Sequence, residues 1–248
     1  MFNAQNSQFT SFTSRKSNSK FLKFCYFIVF LLLISCGKTK SEPQTENVPA
    51  ENQTQTEVKA DNNSKTILCF GDSITAGYGL DDTNDAYPGV LQEKIDALGL
   101  EYSVINSGVS GETSAGGKSR IDWVIKQKPT IFILELGAND GLRGVQINET
   151  HSNLQAIIDT VKEKSPSTKI ILAGMQLPPN LGLDYTTKFK QLFYDLAKKN
   201  NLEFIPFILK DVGGIASLNQ NDGIHPNIEG HKILANTVWE VLEPLLKS

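Results

Sequence analysis

The chain has 248 residues, 40% hydrophobic and 21% charged, with 24 Lys and Arg against 27 Asp and Glu. That composition excludes a disordered tail protein, a collagen-like fibre and a polytopic membrane protein. No stretch of sequence concentrates the basic charge needed to displace phosphate counterions, so nucleic acid is not an expected partner.

The first third is built unlike the rest. Residues 1–35 hold four basic side chains (Arg15, Lys16, Lys20, Lys23) and no acidic one, which leaves the remainder at a formal −7. Phe24 to Ile34 is an unbroken apolar run of 11 residues. A hydrocarbon core of ~30 Å needs roughly 20 such residues, so the run has the length of a signal-peptide core and not of a membrane span. It ends in Leu33-Ile34-Ser35-Cys36, which resembles the lipobox of bacterial lipoproteins. That resemblance implies a lipidated Cys36 as the first residue of the mature chain, anchored to a membrane of the cell envelope outside the cytoplasm. Residues 37–64 contain no aromatic residue and only two valines. Such a segment cannot bury enough apolar surface to offset its ordering entropy, and reads as a flexible tether reaching roughly 30 Å. Of the three cysteines, Cys25 leaves with the signal and Cys36 carries lipid, so Cys69 stands alone and no intrachain disulfide is expected.

From Lys65 to Ser248 strands and helices alternate. Strand-like runs fall at Thr66–Phe70, Tyr102–Asn106, Thr130–Leu136, Lys169–Ala173 and Glu203–Phe207. Leu154, Ile157, Ile158 and Val161 recur at helical spacing, as do Phe189, Leu192, Phe193 and Leu196, and Ile233 to Leu245 carry a similar stripe. Continuous apolar strands separated by helices predict a parallel sheet covered on both faces, a three-layer αβα sandwich with five central strands. Cys69 falls in the first of these strands, as a small core residue.

A parallel sheet presents ligands at the C-terminal ends of its strands. There the chain places Gly71-Asp72-Ser73, then Asn106 to Gly111, then Gly137-Ala138-Asn139-Asp140. Each alone is ordinary turn chemistry. A fourth segment, Asp222-Gly223-Ile224-His225-Pro226, sets a carboxylate three residues before a histidine, where it can fix the ring tautomer and leave Nε2 as a base.

Taken together, these four blocks resemble those of the GDSL, or SGNH, hydrolases, in order and across the whole domain. Ala76 to Leu80, Ser110 to Ser114, Asn139 to Gly144 and Asp222 to Asn227 resemble the branch that holds thioesterase I, lysophospholipase L1 and arylesterases. The resemblance implies a flavodoxin-like fold, Ser73 as nucleophile, His225 as base and Asp222 as its orienter. It implies an oxyanion hole from the Ser73 and Gly111 amides and the Asn139 side chain, and no cofactor or metal. Gln176 to Asn180 resembles that branch's acyl-binding loop, with Leu177 and Pro178 as substrate contacts. The substrate class implied is a carboxylic ester or thioester, with deacetylation of sugar O-acetyl esters as an alternative and a non-catalytic binding module as another.

Rival motifs fail on spacing. Gly116-Gly117-Lys118-Ser119 mimics the end of a phosphate-binding loop, but Glu112 occupies the position of its first glycine. Thr75 stands where the G-x-S-x-G elbow needs its second glycine. Asp222, His225 and His231 match no usual zinc spacing, and His231 is read as structural.

Overall fold

Strands form where β-branched and aromatic residues run without interruption between turn-forming segments. In the computed structural model, which describes residues 65–247, these are β1 (Lys65–Gly71), β2 (Tyr102–Gly108), β3 (Ile131–Glu135), β4 (Lys169–Ala173) and β5 (Glu203–Ile205). The expected signal segment, Cys36 and the tether lie outside the described residues. Among the described residues no helix is long and apolar enough to cross a membrane.

All neighbouring strands are parallel, in the order β2-β1-β3-β4-β5. β5 stops two residues earlier than its composition suggests, because Pro206 has no N–H to continue the ladder. Every residue of β3 is buried, which explains why it reads as an unbroken apolar run.

The helices are α1 (Ser73–Ala76), α2 (Tyr87–Ala97), α3 (Ser114–Val124), α4 (Ala138–Leu142), α5 (Ile147–Lys164), α6 (Leu183–Asn200) and α7 (Ile228–Leu246). Right-handed crossovers put α2 on one face and α3, α5 and α6 on the other. The packing agrees, since α2 meets α7 while α5 lies between α3 and α6. The stripes on α5 and α6 are fully buried, with Phe189 and Phe193 edge to face at 5.4 Å between ring centres.

Strand order reverses about β1, the only strand whose neighbours are reached by crossovers in opposite directions. Gly71 is in register with both Gly108 and Glu135, so the first three strands end level with one another. The segments that follow them share one rim.

Candidate active site

Ser73 stands on that rim because three local features turn the chain sharply after β1. Asp72 caps α1, its Oδ1 accepting from the Ile74 N–H at 3.0 Å, and Gly77 ends the helix one turn later in a left-handed conformation at φ 77°. Gly71 and Gly108 leave room for the turn. A Cβ at Gly71 would meet Thr75 Oγ1 at 2.0 Å, and one at Gly108 would meet the Ala76 nitrogen at 2.2 Å. Ser73 is 9% exposed, at the edge of solvent.

His225 arrives from the loop before α7. Asp222 Oδ1 accepts the backbone N–H groups of Ile224 at 2.9 Å and His225 at 3.0 Å, and Gly223 takes the left-handed backbone at φ 71° that folds the loop back. Asp222 Oδ2 lies 2.6 Å from His225 Nδ1, and His225 Nε2 lies 3.0 Å from Ser73 Oγ. A carboxylate at that distance holds the proton on Nδ1 and leaves the Nε2 lone pair facing the serine hydroxyl. The hydrogen bond from the His225 ring, with the two backbone N–H groups, lowers the Asp222 carboxyl to about 2. Tyr78 covers the imidazole at 4.7 Å between ring centres. His231 belongs elsewhere: buried at 1% exposure, it accepts the Tyr87 N–H through Nδ1 at 3.2 Å, and burial lowers it to about 4.

Asn139 lies in the first turn of α4, and its Nδ2 donates to Asp72 Oδ2 at 3.2 Å and to the Glu112 carbonyl at 3.0 Å. The left-handed residue of this turn is Gly137, at φ 121°, and Asn139 itself is helical. Among the described residues, neither the Ser73 N–H nor the Gly111 N–H has a hydrogen-bond acceptor. The rim loops thus carry two open backbone donors, at Ser73 and Gly111, and the Asn139 side-chain amide, which is held on Asp72 and Glu112. Leu177 packs on α4, where a Cβ at Gly141 would meet its Cδ2 at 2.4 Å, while Pro178 is exposed. Around the serine the surface is apolar, with Tyr78, Val109, Leu142 and Ile224 all exposed.

Three supporting residues have no role assigned from the sequence, although Asp140 lies in the block Gly137-Ala138-Asn139-Asp140. Arg120 on α3 makes a two-pronged ion pair with Glu112 at 2.7 and 2.5 Å. It donates also to Ser107 Oγ at 3.0 Å, to the Ser107 carbonyl at 2.9 Å and to the Gly71 carbonyl at 3.4 Å, and stacks on Phe70. Asp140 takes the Ser114 N–H at 2.7 Å and the Ser114 hydroxyl, tying α4 to α3. Glu135, fully buried beneath Ser73, accepts from the Asp72 N–H at 3.3 Å and Thr75 Oγ1 at 2.8 Å, while its Oε1 has no partner. Burial and the nearby Asp72 hold the Glu135 carboxyl well above the usual range, and burial also raises Asp72, to about 6. The contacts of Asp140 and Glu135 join residues 26 to 63 apart in sequence, which no local pattern announces.

The resemblance to a phosphate-binding loop dissolves in three dimensions, while Cys69 is the core residue expected. Gly116 and Gly117 lie inside α3, where Gly117 lets the helix approach Leu136 and Phe70, and Glu112 pairs with Arg120. Cys69 is sealed in β1, and burial raises its thiol to about 12, far from the reactive range.

Known proteins resemble this chain in sequence and in fold. The sequence model of the GDSL-like lipase/acylhydrolase family matches residues 69–233. Esterase TesA of Pseudomonas aeruginosa is 38% identical over 184 residues, which cover 74% of this chain and 90% of TesA. Thioesterase 1/protease 1/lysophospholipase L1 of Escherichia coli is 35% identical over 182 residues, covering 73% and 85%. A crystal structure of TesA superposes with a TM-score of 0.70 at 37% identity, over 73% of this chain and 99% of that one. A psychrotrophic esterase, EstA from Pseudoalteromonas sp., superposes at 0.69 and 32% identity, over 75% of this chain and all of that one. Fold, block order and relatives converge, and the chain belongs to the GDSL-like lipase/acylhydrolase family of ester-bond hydrolases.

Proposed function

We propose that the protein is a serine esterase that cleaves carboxylic esters or thioesters through an acyl-enzyme. Ser73 Oγ attacks the carbonyl carbon as His225 Nε2 takes its proton, and Asp222 holds the imidazolium that results. The oxyanion is met by the Ser73 and Gly111 N–H groups and by Asn139, one of whose two present hydrogen bonds must be given up or shared. The alcohol or thiol leaves with the proton from His225, and water reverses the sequence to release the acid. The observation that carries this reading is the pair of distances at His225, 2.6 Å to Asp222 and 3.0 Å to Ser73.

The apolar surround favours longer or aromatic acyl groups over acetate, with Leu177 and Pro178 at the acyl end. The names of the two curated relatives, an esterase and a thioesterase/lysophospholipase, point the same way. A panel of p-nitrophenyl esters from acetate to palmitate, with acyl-CoA and lysophospholipid, tests the assignment. Ser73→Ala should abolish turnover at unchanged Tm, and kcat/KM should rise beyond acetate. Preference for acetylated sugars over all of these would favour the deacetylase alternative.

The same proposal extends to location. Cys36 is assigned as a lipidated anchor in the cell envelope, with residues 37–64 as tether. Two acyl chains hold stably where one binds only marginally. Mass spectrometry of the mature N-terminal peptide decides it, and an unlipidated peptide ends the anchoring reading.

A further inference from the structure

The fold gathers lysines that the sequence scatters. The N-terminal ends of β1, β3 and β4 lie together at the face opposite the active site. There Thr130 donates to the Thr66 carbonyl at 2.8 Å, Lys169 to the Thr130 carbonyl at 3.0 Å, and Thr168 Oγ1 to the Pro129 carbonyl at 2.5 Å. The ion pair of Lys164 with Asp122 joins the end of α5 to the end of α3 at the same face. Lys65, Lys126, Lys128, Lys162, Lys164 and Lys169 are all exposed here. The acids among them are Asp122, Glu163 and Glu101, the last beside Lys65, with Asp96 beside the start of β2 and Glu203 at the start of β5. Residues 65–248 as a whole carry 17 basic against 22 acidic side chains, so six lysines against these five acids leave this face a small positive excess on a negative domain.

Lysines at helix C-termini are commonplace, because they complement the helix dipole. That accounts for Lys162 and Lys164 but not for Lys65 or Lys128. Nor does it account for Trp123, which stands out from the last turn of α3 among these lysines at 70% exposure. Basic side chains around an exposed indole are the composition that settles at the headgroup level of a lipid bilayer. The attachment point agrees. Residues 37–64, the expected tether, join the domain at Lys65 on this face.

We propose that this face docks the domain on a bilayer bearing anionic phospholipid headgroups. The attraction also orients the molecule, because an anionic surface repels the net-negative remainder and accepts only this side. β1 runs for seven residues from the docking face to the rim, about 20 Å at ~3.3 Å per residue. Ser73 therefore faces solution, and its substrates arrive from the aqueous compartment and not from the leaflet beneath. The inference goes beyond the anchoring reading and does not need it, since neither the lysines nor Trp123 depend on Cys36.

The solved TesA chain matches this domain over 99% of its own length, so a fragment of residues 65–248 contains what a solved relative needs to fold. Co-sedimentation of that fragment with vesicles of phosphatidylcholine alone, or with added phosphatidylglycerol, measures docking without any lipid anchor. Binding is expected only with phosphatidylglycerol, weakening with salt. It should fall about fivefold for each of Lys126→Gln and Lys128→Gln, with ester hydrolysis in solution unchanged. In a Trp239→Phe background, brominated phosphatidylglycerol should quench Trp123. Equal binding to both vesicles, binding indifferent to the lysine changes, or loss of binding on Val109→Ser and Ile224→Ser at the opposite mouth would overturn the proposal. Equally tight binding to duplex DNA would overturn the lipid assignment.

Discussion

Asn139 shows what a single residue must do in a site assembled from separate loops. Its amide already holds Asp72 and Glu112, so it is locked in place before substrate arrives. In the proposed mechanism a donor held this way acts on the oxyanion and not on the ground-state ester. Asn139→Ala should lower kcat by about 10²–10³ with KM nearly unchanged. An equal rise in KM would mean that Asn139 binds substrate instead. Glu135 makes a different prediction. With burial favouring its protonated form, it should tolerate Glu135→Gln within about 1 kcal/mol, whereas Glu135→Ala strands the Asp72 N–H and should cost ~1–3 kcal/mol. The sign of the pH effect follows from its raised pKa. Stability held by a protonated Glu135 is complete below about 4.5 and is lost as pH rises through the folded-state value, so Gln should gain on wild type towards alkaline pH. Chemical denaturation across pH measures both, and a Gln variant as unstable as Ala would mean an ionised Glu135.

At the level of elements, the rim is held by links between helices and loops more than by the loops themselves. Arg120 reaches from α3 to the ends of β1 and β2 and to Glu112, and its guanidinium fork matches Glu112 with two prongs. Side-chain exposures of 20% for Arg120 and 7% for Glu112 make the pair largely buried. Removing one partner of such a pair is costly, and Arg120→Ala should destabilise by ~3 kcal/mol. Arg120→Lys keeps the charge but cannot reproduce the fork, so it should recover part of that stability. It should still lower kcat, since the Gly111 amide sits beside Glu112. Thermal melts and ester kinetics on the two variants separate these effects, and wild-type kcat in Arg120→Lys would show that the fork does not set the rim.

The elements also show what could be read from sequence. β1, β3 and β4 were legible within a residue or so because strands buried on both faces leave an unbroken apolar signature. α5 and α6 were legible because one buried stripe recurs at helical spacing. α1 and α4 were not, being four- and five-residue turns with no room for a period. Ser73, Asp222, His225, Gly111 and Asn139 could be singled out because each belongs to a short local block with family-like spacing. Arg120 and Glu135 could not, and Asp140, though inside one of these blocks, could not be given its part in tying α4 to α3, since nothing in a linear pattern encodes those pairings. The lysine face was invisible for the same reason, its charges being spread over separate segments.

For the whole molecule, pH should act through buried groups of opposite sign. His231 is lowered from 6.5 to about 4 by burial, so the unfolded chain binds more protons between those values. Its neutral form supports folding at higher pH, and up to ~3 kcal/mol is lost as pH falls from about 6.5 through 4. Asp72, raised from 3.8 to about 6, acts the other way, its stabilisation fading as pH rises across that range. Wild type alone therefore blends the two. The stability difference between wild type and His231→Gln isolates the histidine and should grow in favour of wild type from pH 4 to 6.5. A flat difference would place a protonated His231 in the folded protein.

The most direct test of the serine mechanism is labelling with a fluorophosphonate, followed by peptide mapping. The expected result is one adduct, on Ser73, absent from Ser73→Ala and strongly slowed in His225→Ala, with both variants melting near wild type. Labelling at another residue, or ester hydrolysis surviving in a folded Ser73→Ala protein, would contradict it.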